Sequence, residues 1–321
     1  TYTTCRFKEL NKKLNGIIII NKLPNITSFK VVKEFKKILR AQKAGHTGTL
    51  DPFAQGVLPI GINEGTKLVP FLMEEDKEYQ AILRLGIETD TQDITGNIIR
   101  EYPLRNLSPE EIGEVFKKFQ GKIIQTPPMF SALKYKGVPL YQFARQGKEV
   151  ERTPREVEIK EIEILKVELP RIWFRVICSK GTYIRTLASD LGKSLGSGAC
   201  LEMLTRTRSG SFQIENSVTL EELKQTPWDK IESQFIIPLS LALPHFPEII
   251  VRKEVEKKIL RGKTVNWAEV KEIFSFSLVP KRKFKLLSEE RSLIAIVELN
   301  DPVDKNRENS AWKILRMFNL T

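Results

Sequence analysis

The sequence predicts an α+β fold in two domains, and three observations predict it. The chain has 321 residues, more than one ordinary compact domain holds comfortably. Up to about Leu243, β-branched or alternating runs interleave with amphipathic helical segments. Beyond the stretch Ile237–Pro247, punctuated by Pro238, Pro244 and Pro247, short β-type runs dominate.

Taken in order, Ile17–Ile20 is a β-branched run bounded by Gly16 and Asn21, which predicts a buried strand. Thr27-Ser28 supplies hydroxyl caps for a helix that puts Phe29, Val32, Phe35, Ile38 and Leu39 on its apolar face. Gly45–Pro52 is too rich in Gly and Thr for a helix and reads as a loop. Val57–Ile62 and Tyr79–Leu85 predict strands, the second closed by Gly86. Ser108-Pro109, a cap followed by proline, opens a helix over Glu110–Phe119. Val157–Val167 and Ile172–Cys178 predict a pair of strands, and Tyr183–Leu195 a helix. The tail offers β runs at Ile249–Val251, Phe274–Val279, Leu293–Val297 and Trp312–Phe318, with a helical stretch near Glu254–Leu260. The domains expected are therefore 1–243 and 244–321, the second a small β-barrel-like module. Lys281, Arg282, Lys283 and Lys285 make that module basic.

Lys and Arg exceed Asp and Glu by 12, and the sequence pI is near 9.5. That balance favours a polyanionic partner, because basic groups displace the counterions condensed on phosphates. A generic basic protein is the plainer reading. No run approaches the ~20 apolar residues that span a bilayer, and no Lys-rich, strongly hydrophobic helix suits a membrane surface. Cys5, Cys178 and Cys200 lie far apart, which argues for a reducing compartment. The chain has two histidines, His46 and His245, so a His/Cys zinc site would need ligands scattered over its whole length; no metal is expected. Thr1–Gly16 carries Arg6, Lys8, Lys12 and Lys13 and has no apolar core, unlike a signal peptide. A cytoplasmic location is the expectation.

Two segments point to chemistry. Gly121–Arg155 carries seven basic residues against two acidic ones, with Phe130, Tyr135, Tyr141 and Phe143 interleaved. Charge and aromatics together suit RNA, although a solvated surface loop would also read this way. In the loop Gly45–Pro52, Pro52 keeps Asp51 out of the α region. Alone, Asp51 could simply satisfy backbone donors in a tight turn. A phosphate cradle fits poorly, since GxxxxGK[ST] is absent and an Asp repels anions.

The wider sequence around that loop resembles a known family. Gly45-His46-Thr47-Gly48-Thr49-Leu50-Asp51-Pro52-Phe53-Ala54-Gln55-Gly56-Val57-Leu58 is similar to the catalytic motif of the TruB family of tRNA pseudouridine synthases. Gly16–Pro24 followed by Thr27-Ser28 resembles its opening motif, with Leu23 and Asn25 departing from the usual residues. Lys77-Glu78-Tyr79 resembles the tyrosine motif, and Cys178–Leu187 the arginine motif. Gly86–Asp93 with Gly96, and Gln125–Lys134, resemble two further blocks. The six blocks keep the family's order over about two hundred residues.

The resemblance implies a catalytic domain with a central, mainly antiparallel sheet flanked by helices, then an RNA-binding PUA domain. It implies conversion of the T-loop uridine at tRNA position 55 to pseudouridine, without cofactor or metal. Asp51 would be the catalytic carboxylate, attacking either the uracil ring or ribose C1′. Arg185 would be the cation that keeps a carboxylate charged out of water. Tyr79 would stack on the flipped base and handle a proton, at about 1–3 kcal/mol per stacked base. Tyr183 and Leu204 would line the uridine pocket, and His46 would fill the space that the base vacates. The segment 121–155 would clamp the T-arm, through Lys134, Lys136, Tyr141, Arg145 and Lys148. The resemblance implies a monomer without an obligatory protein partner. A non-catalytic RNA-folding protein on the same scaffold is the alternative, and a guide-RNA-dependent relative a third reading.

Overall fold

The computed structural model describes residues 13–262, 283–299 and 312–319. The first part of the chain runs β1 (Gly16–Lys22), α1 (Ser28–Ile38), β2 (Ala44–His46), β3 (Gln55–Ile62), α2 (Val69–Met73) and β4 (Lys77–Leu85). A hairpin arm, β5 (Ile87–Thr89) and β6 (Ile98–Glu101), leads to α3 (Pro109–Lys118) and β7 (Gly121–Gln125). A second arm holds β8 (Lys134–Tyr135), β9 (Val138–Pro139) and α4 (Leu140–Arg145). Then come β10 (Arg155–Glu168), β11 (Arg171–Cys178), α5 (Ile184–Ser194), β12 (Ala199–Ser209), β13 (Phe212–Gln213), α6 (Leu220–Gln225) and α7 (Trp228–Phe235). The tail contains β14 (Glu248–Ile250), α8 (Lys253–Leu260), β15 (Lys283–Leu287), β16 (Leu293–Leu299) and β17 (Trp312–Met317). Among the described residues no helix is long and apolar enough to cross a membrane.

The main sheet has the order β1-β3-β12-β4-β11-β10-β7, with β2 on β3 and β13 on β12. Its pairings are antiparallel except where β12 meets β3 at Thr205–Gln55 and Arg206–Gly56. Period-two alternation sorts the side chains onto two faces. Ile18, Ile20, Leu58, Ile60, Ala81, Leu83, Phe174 and Val176 pack against Val31 and Phe35 of α1, Ile112 and Phe116 of α3, and Leu187 and Leu191 of α5. Ile17, Ile19 and Val57 point the other way, into a second core shared with Leu243, Leu287, Leu293, Ile296 and Phe318. The tail thus packs on the back of the β1–β3 corner. It forms a four-stranded sheet, β14-β15-β16-β17, among the described residues.

Local chemistry sets the helix ends. Thr27 Oγ1 accepts from Lys30 N at 3.1 Å and Ser108 Oγ from Glu111 N at 3.2 Å, as the sequence predicts. The apolar face of α1 holds Phe35 and Leu39 in the core with Val32 and Ile38 packed on it, as expected, but Ser28 and Val31 are buried while Phe29 is 76% exposed. Ser28 faces inward because its hydroxyl bonds the loop before Asp51, which leaves Phe29 in solvent.

Three other expectations change. Residues 121–125 and 155 do not belong to an insertion, since β7 pairs with β10 from Gln125–Arg155 to Gly121–Ile159; the excursion spans 126–154. Lys285 is no part of a basic surface. It is buried, and its Nζ donates to Glu248 Oε1 at 2.9 Å and Ser240 O at 2.6 Å. Ala44–His46 is a strand on β3, so the loop begins at Thr47. The strand expected at Phe274–Val279, Lys281, Arg282 and most of the N-terminal segment lie outside the described residues.

Candidate active site

The loop Thr47–Ala54 joins β2 to β3 at one end of the main sheet, and its conformation is fixed from several sides. Ser28 Oγ bonds Leu50 reciprocally, accepting from its N and donating to its O, both at 2.9 Å. Lys22, at the end of β1, is buried and donates to the carbonyls of Leu23, Pro52 and Ala54 at 3.0, 3.1 and 2.5 Å. Burial lowers the Lys22 pKa to about 8, and the Asp51 carboxylate opposes the shift. Gly56 has φ +103°, and a Cβ there would stand 2.2 Å from Arg206 O; only glycine lets β3 approach β12 this closely.

Asp51 emerges from this loop into a two-point contact with Arg185. Arg185 Nε donates to Asp51 Oδ2 at 2.8 Å and Nη2 to Oδ1 at 3.0 Å. The side chain of Arg185 is 3% exposed and that of Asp51 30%. The guanidinium is therefore sunk in protein while the carboxylate reaches towards solvent. Two backbone carbonyls take the other guanidinium donors, Thr91 O and Phe130 O, both at 2.8 Å. Asp93 Oδ2 lies 3.8 Å from Arg185 Nε. Asp93 is itself held by Thr91 Oγ1 at 2.9 Å and by Thr95 N at 3.0 Å. A fork-to-fork pair of this kind sets the carboxylate's direction as well as its distance.

The other predicted pocket residues converge on the same place. Tyr79 and Leu204 are buried in one cluster with Leu50, Ala54 and Ile184. Burial raises the Tyr79 pKa, Arg206 opposes the rise, and the Asp51 charge adds to it. Tyr183 precedes α5, so it and Arg185 leave the same turn. Its backbone is clamped by Gln125, which accepts from Tyr183 N at 3.0 Å and donates to Tyr183 O at 3.2 Å. The Arg155 guanidinium lies 5.5 Å from the Tyr183 ring centre. His46 ends β2, and its Nδ1 accepts from Gly48 N at 3.3 Å. Burial, then the Arg206 charge, lowers the His46 pKa below its ordinary value, so the ring sits neutral at the loop's entrance.

The excursion carries the remaining predicted residues. Lys134, Lys136, Arg145 and Lys148 are exposed on it, away from the Asp51–Arg185 contact. Lys136 lies over the Tyr135 ring at 5.5 Å and Arg145 over the Tyr141 ring at 5.4 Å. Tyr135 also meets Phe143 edge-on at 6.0 Å. The excursion touches the site itself through Phe130 O. Among the described residues, no three His, Cys, Asp or Glu side chains gather as a metal site.

Sequence reasoning missed Arg206, Lys22, Lys77, Ser28, Asp93 and Gln125 as site-building residues. Arg206 was legible in principle: it stands two residues after Leu204, the spacing that puts both on one face of a strand. Lys77 is buried, donates to the carbonyls of Met73 at 2.6 Å and of Glu75, and has a pKa lowered to about 8 by burial and then Arg206.

Comparison with known proteins follows the same map. Residues 36–184 match the model of the TruB family pseudouridylate synthase N-terminal domain. Residues 185–243 match that of the tRNA pseudouridylate synthase B C-terminal domain. The tRNA pseudouridine synthase B of Geotalea uraniireducens is 40% identical over 96% of this chain and 97% of its own. That of Clostridium tetani is 48% identical over 78% of this chain and 85% of its own. Among solved structures, a chain of a Cbf5-Nop10-Gar1 complex superposes with a TM-score of 0.74 at 27% identity, covering 95% of this chain and 85% of that one. With two family models tiling residues 36–243 and a relative matching nearly end to end, the chain belongs to the TruB family of pseudouridylate synthases.

Proposed function

We propose that this chain isomerises a uridine of tRNA to pseudouridine, at position 55 in the T-loop, with Asp51 as the catalytic carboxylate. The observation that carries the reading is the two-point Asp51–Arg185 contact next to the buried Tyr79. The reaction breaks N1–C1′ and makes C5–C1′, while one proton leaves C5 and one is gained at N1. It therefore balances without oxidant, reductant or water. What it asks of a protein is a carboxylate able to take up or stabilise an electron-poor centre, a stacking surface for an extruded base and a route for a proton.

Each residue then has a task. Arg185 holds Asp51 aimed, since its guanidinium is buried and bonded to both carboxylate oxygens. Tyr79 stacks on the uracil and passes the proton. Tyr183 and Leu204 close the pocket, and neutral His46 occupies the gap left in the RNA. Lys134, Lys136, Tyr141, Arg145 and Lys148 hold the T-arm from the excursion, and the C-terminal sheet serves as a PUA-like RNA-binding module. The protein is expected to work as a monomer in the cytoplasm on bare tRNA. Identity of 40–48% to proteins named for tRNA pseudouridine synthesis, against 26–27% to chains of Cbf5 complexes, supports a tRNA target.

The test is to incubate the purified chain with an unmodified tRNA transcript and map pseudouridine. One new pseudouridine, in the T-loop, is the expected outcome. Tight binding with no pseudouridine would favour a non-catalytic RNA-folding protein instead.

A further inference from the structure

Arg206 is among the largest fully buried side chains of the molecule, with 1% of its surface exposed. It lies on β12 directly across from Tyr79 on β4. Its Nε donates to Val57 O at 2.7 Å and its Nη2 to Gly48 O at 3.0 Å. Its charge is felt at the Tyr79 hydroxyl, where it opposes the rise that burial gives the Tyr79 pKa. Among the described residues its hydrogen-bond partners are two backbone carbonyls, with no carboxylate. Burying a guanidinium without a counter-ion is costly, and an apolar side chain could fill the space at less cost. The arrangement is unlike that of Arg185, whose charge is matched by Asp51. Instead, Arg206 places its donors on Gly48 in the catalytic loop and on Val57 in the strand that follows, with its charge beside Tyr79.

We propose that Arg206 is a positioning residue for the isomerisation, which locks the Tyr79 hydroxyl to the catalytic loop and holds a positive charge against the phenol oxygen. The proposal rests on Tyr79 as the stacking and proton-passing group. Negative charge that develops on that oxygen meets a fixed cation, without solvent having to reorganise. The loop carbonyl of Gly48 and the ring of Tyr79 then share one rigid support, so the base and the carboxylate keep a common frame.

The test combines kinetics with a spectroscopic probe. Single-turnover rates at saturating tRNA are measured for wild type, Arg206→Gln, Arg206→Lys, Tyr79→Phe and the Tyr79→Phe/Arg206→Gln double variant, alongside tRNA affinity. Arg206→Gln should slow the chemical step about a hundredfold, with affinity close to wild type. Arg206→Lys should recover part of the rate. In the Tyr79→Phe background the same change should alter the rate by no more than about twofold. The second arm places 3-fluorotyrosine at position 79 and follows its ionisation by 19F NMR. The midpoint should move to higher pH in Arg206→Gln, and in Arg206→Lys should stay nearer wild type. Equal slowing in both backgrounds, or an unmoved 19F midpoint, would overturn the proposal and leave Arg206 a packing residue. If Arg206→Gln does not fold, Arg206→Lys carries the kinetic arm, since it loses the fork: it should slow the step in the wild-type background and by no more than about twofold in the Tyr79→Phe background. The NMR arm needs no turnover, so a wild-type enzyme that makes no pseudouridine would sink the functional reading separately.

Discussion

At the scale of single residues, buried cations organise the site. Lys22, Lys77, Arg185 and Arg206 are all buried, and of these Arg185 hydrogen-bonds the Asp51 carboxylate. The other three are held largely by backbone carbonyls around the loop and the start of β4. His46 stands where these charges are felt. Its folded-state pKa lies below the ordinary 6.5, through burial first and Arg206 second. The unfolded chain therefore takes up a proton at His46 before the folded chain does. The stability this residue contributes is fully present above pH 6.5 and is lost as pH falls from there through the lower folded-state value. An NMR titration should place the His46 midpoint below 6.5, and His46→Gln should flatten the loss of stability on acidification. A midpoint at or above 6.5 would contradict the burial described for it. His245 is distinguishable, because its Nε2 meets Glu75 at 3.0 Å. The motif spacing made Asp51, Tyr79 and Arg185 legible in the sequence. Lys22 was not, because a buried charge without an opposite partner reads as a solvated one until the carbonyls that satisfy it are seen.

At the scale of elements, strong periodicity was readable and short or charged elements were not. β1, β3, β4, β10, β11, α3 and α5 fall where alternation, caps and apolar spacing place them. The central strand β12 escaped because Glu202, Arg206 and Arg208 break its apolar alternation, although it joins β3 to β4 in mid-sheet. The excursion at 126–154 was visible as a basic, aromatic stretch, but its ends were hidden because strand residues of β7 and β10 are also charged. Its rings partly pair with its own cations, so those cations sit on a pre-arranged surface rather than on a loose loop. Changing Lys134, Lys136, Arg145 and Lys148 together to Gln should weaken tRNA binding and reduce the slope of log K against log salt by up to about 3. An unchanged slope would remove the excursion from the RNA interface.

At the scale of the whole molecule, the two faces of one sheet divide the labour. The face carrying Tyr79, Leu204 and the helices encloses the site. The opposite face of β1 and β3 anchors the tail through Leu243, Leu287, Leu293 and Phe318. Alternation within Ile17–Ile20 serves both, with even residues in one core and odd residues in the other. The sequence showed a continuous apolar run there but could not say what covered each side. This division lets binding and chemistry be separated by substitution: Asp51 is anchored by Arg185, while the exposed cations lie on the excursion. The most direct measurement is tritium release from tRNA labelled at uracil C5, with Asp51→Asn compared against wild type and tRNA affinity measured in parallel. The account predicts no release by the variant, with affinity within a few-fold of wild type. Release by Asp51→Asn at the wild-type rate would contradict it.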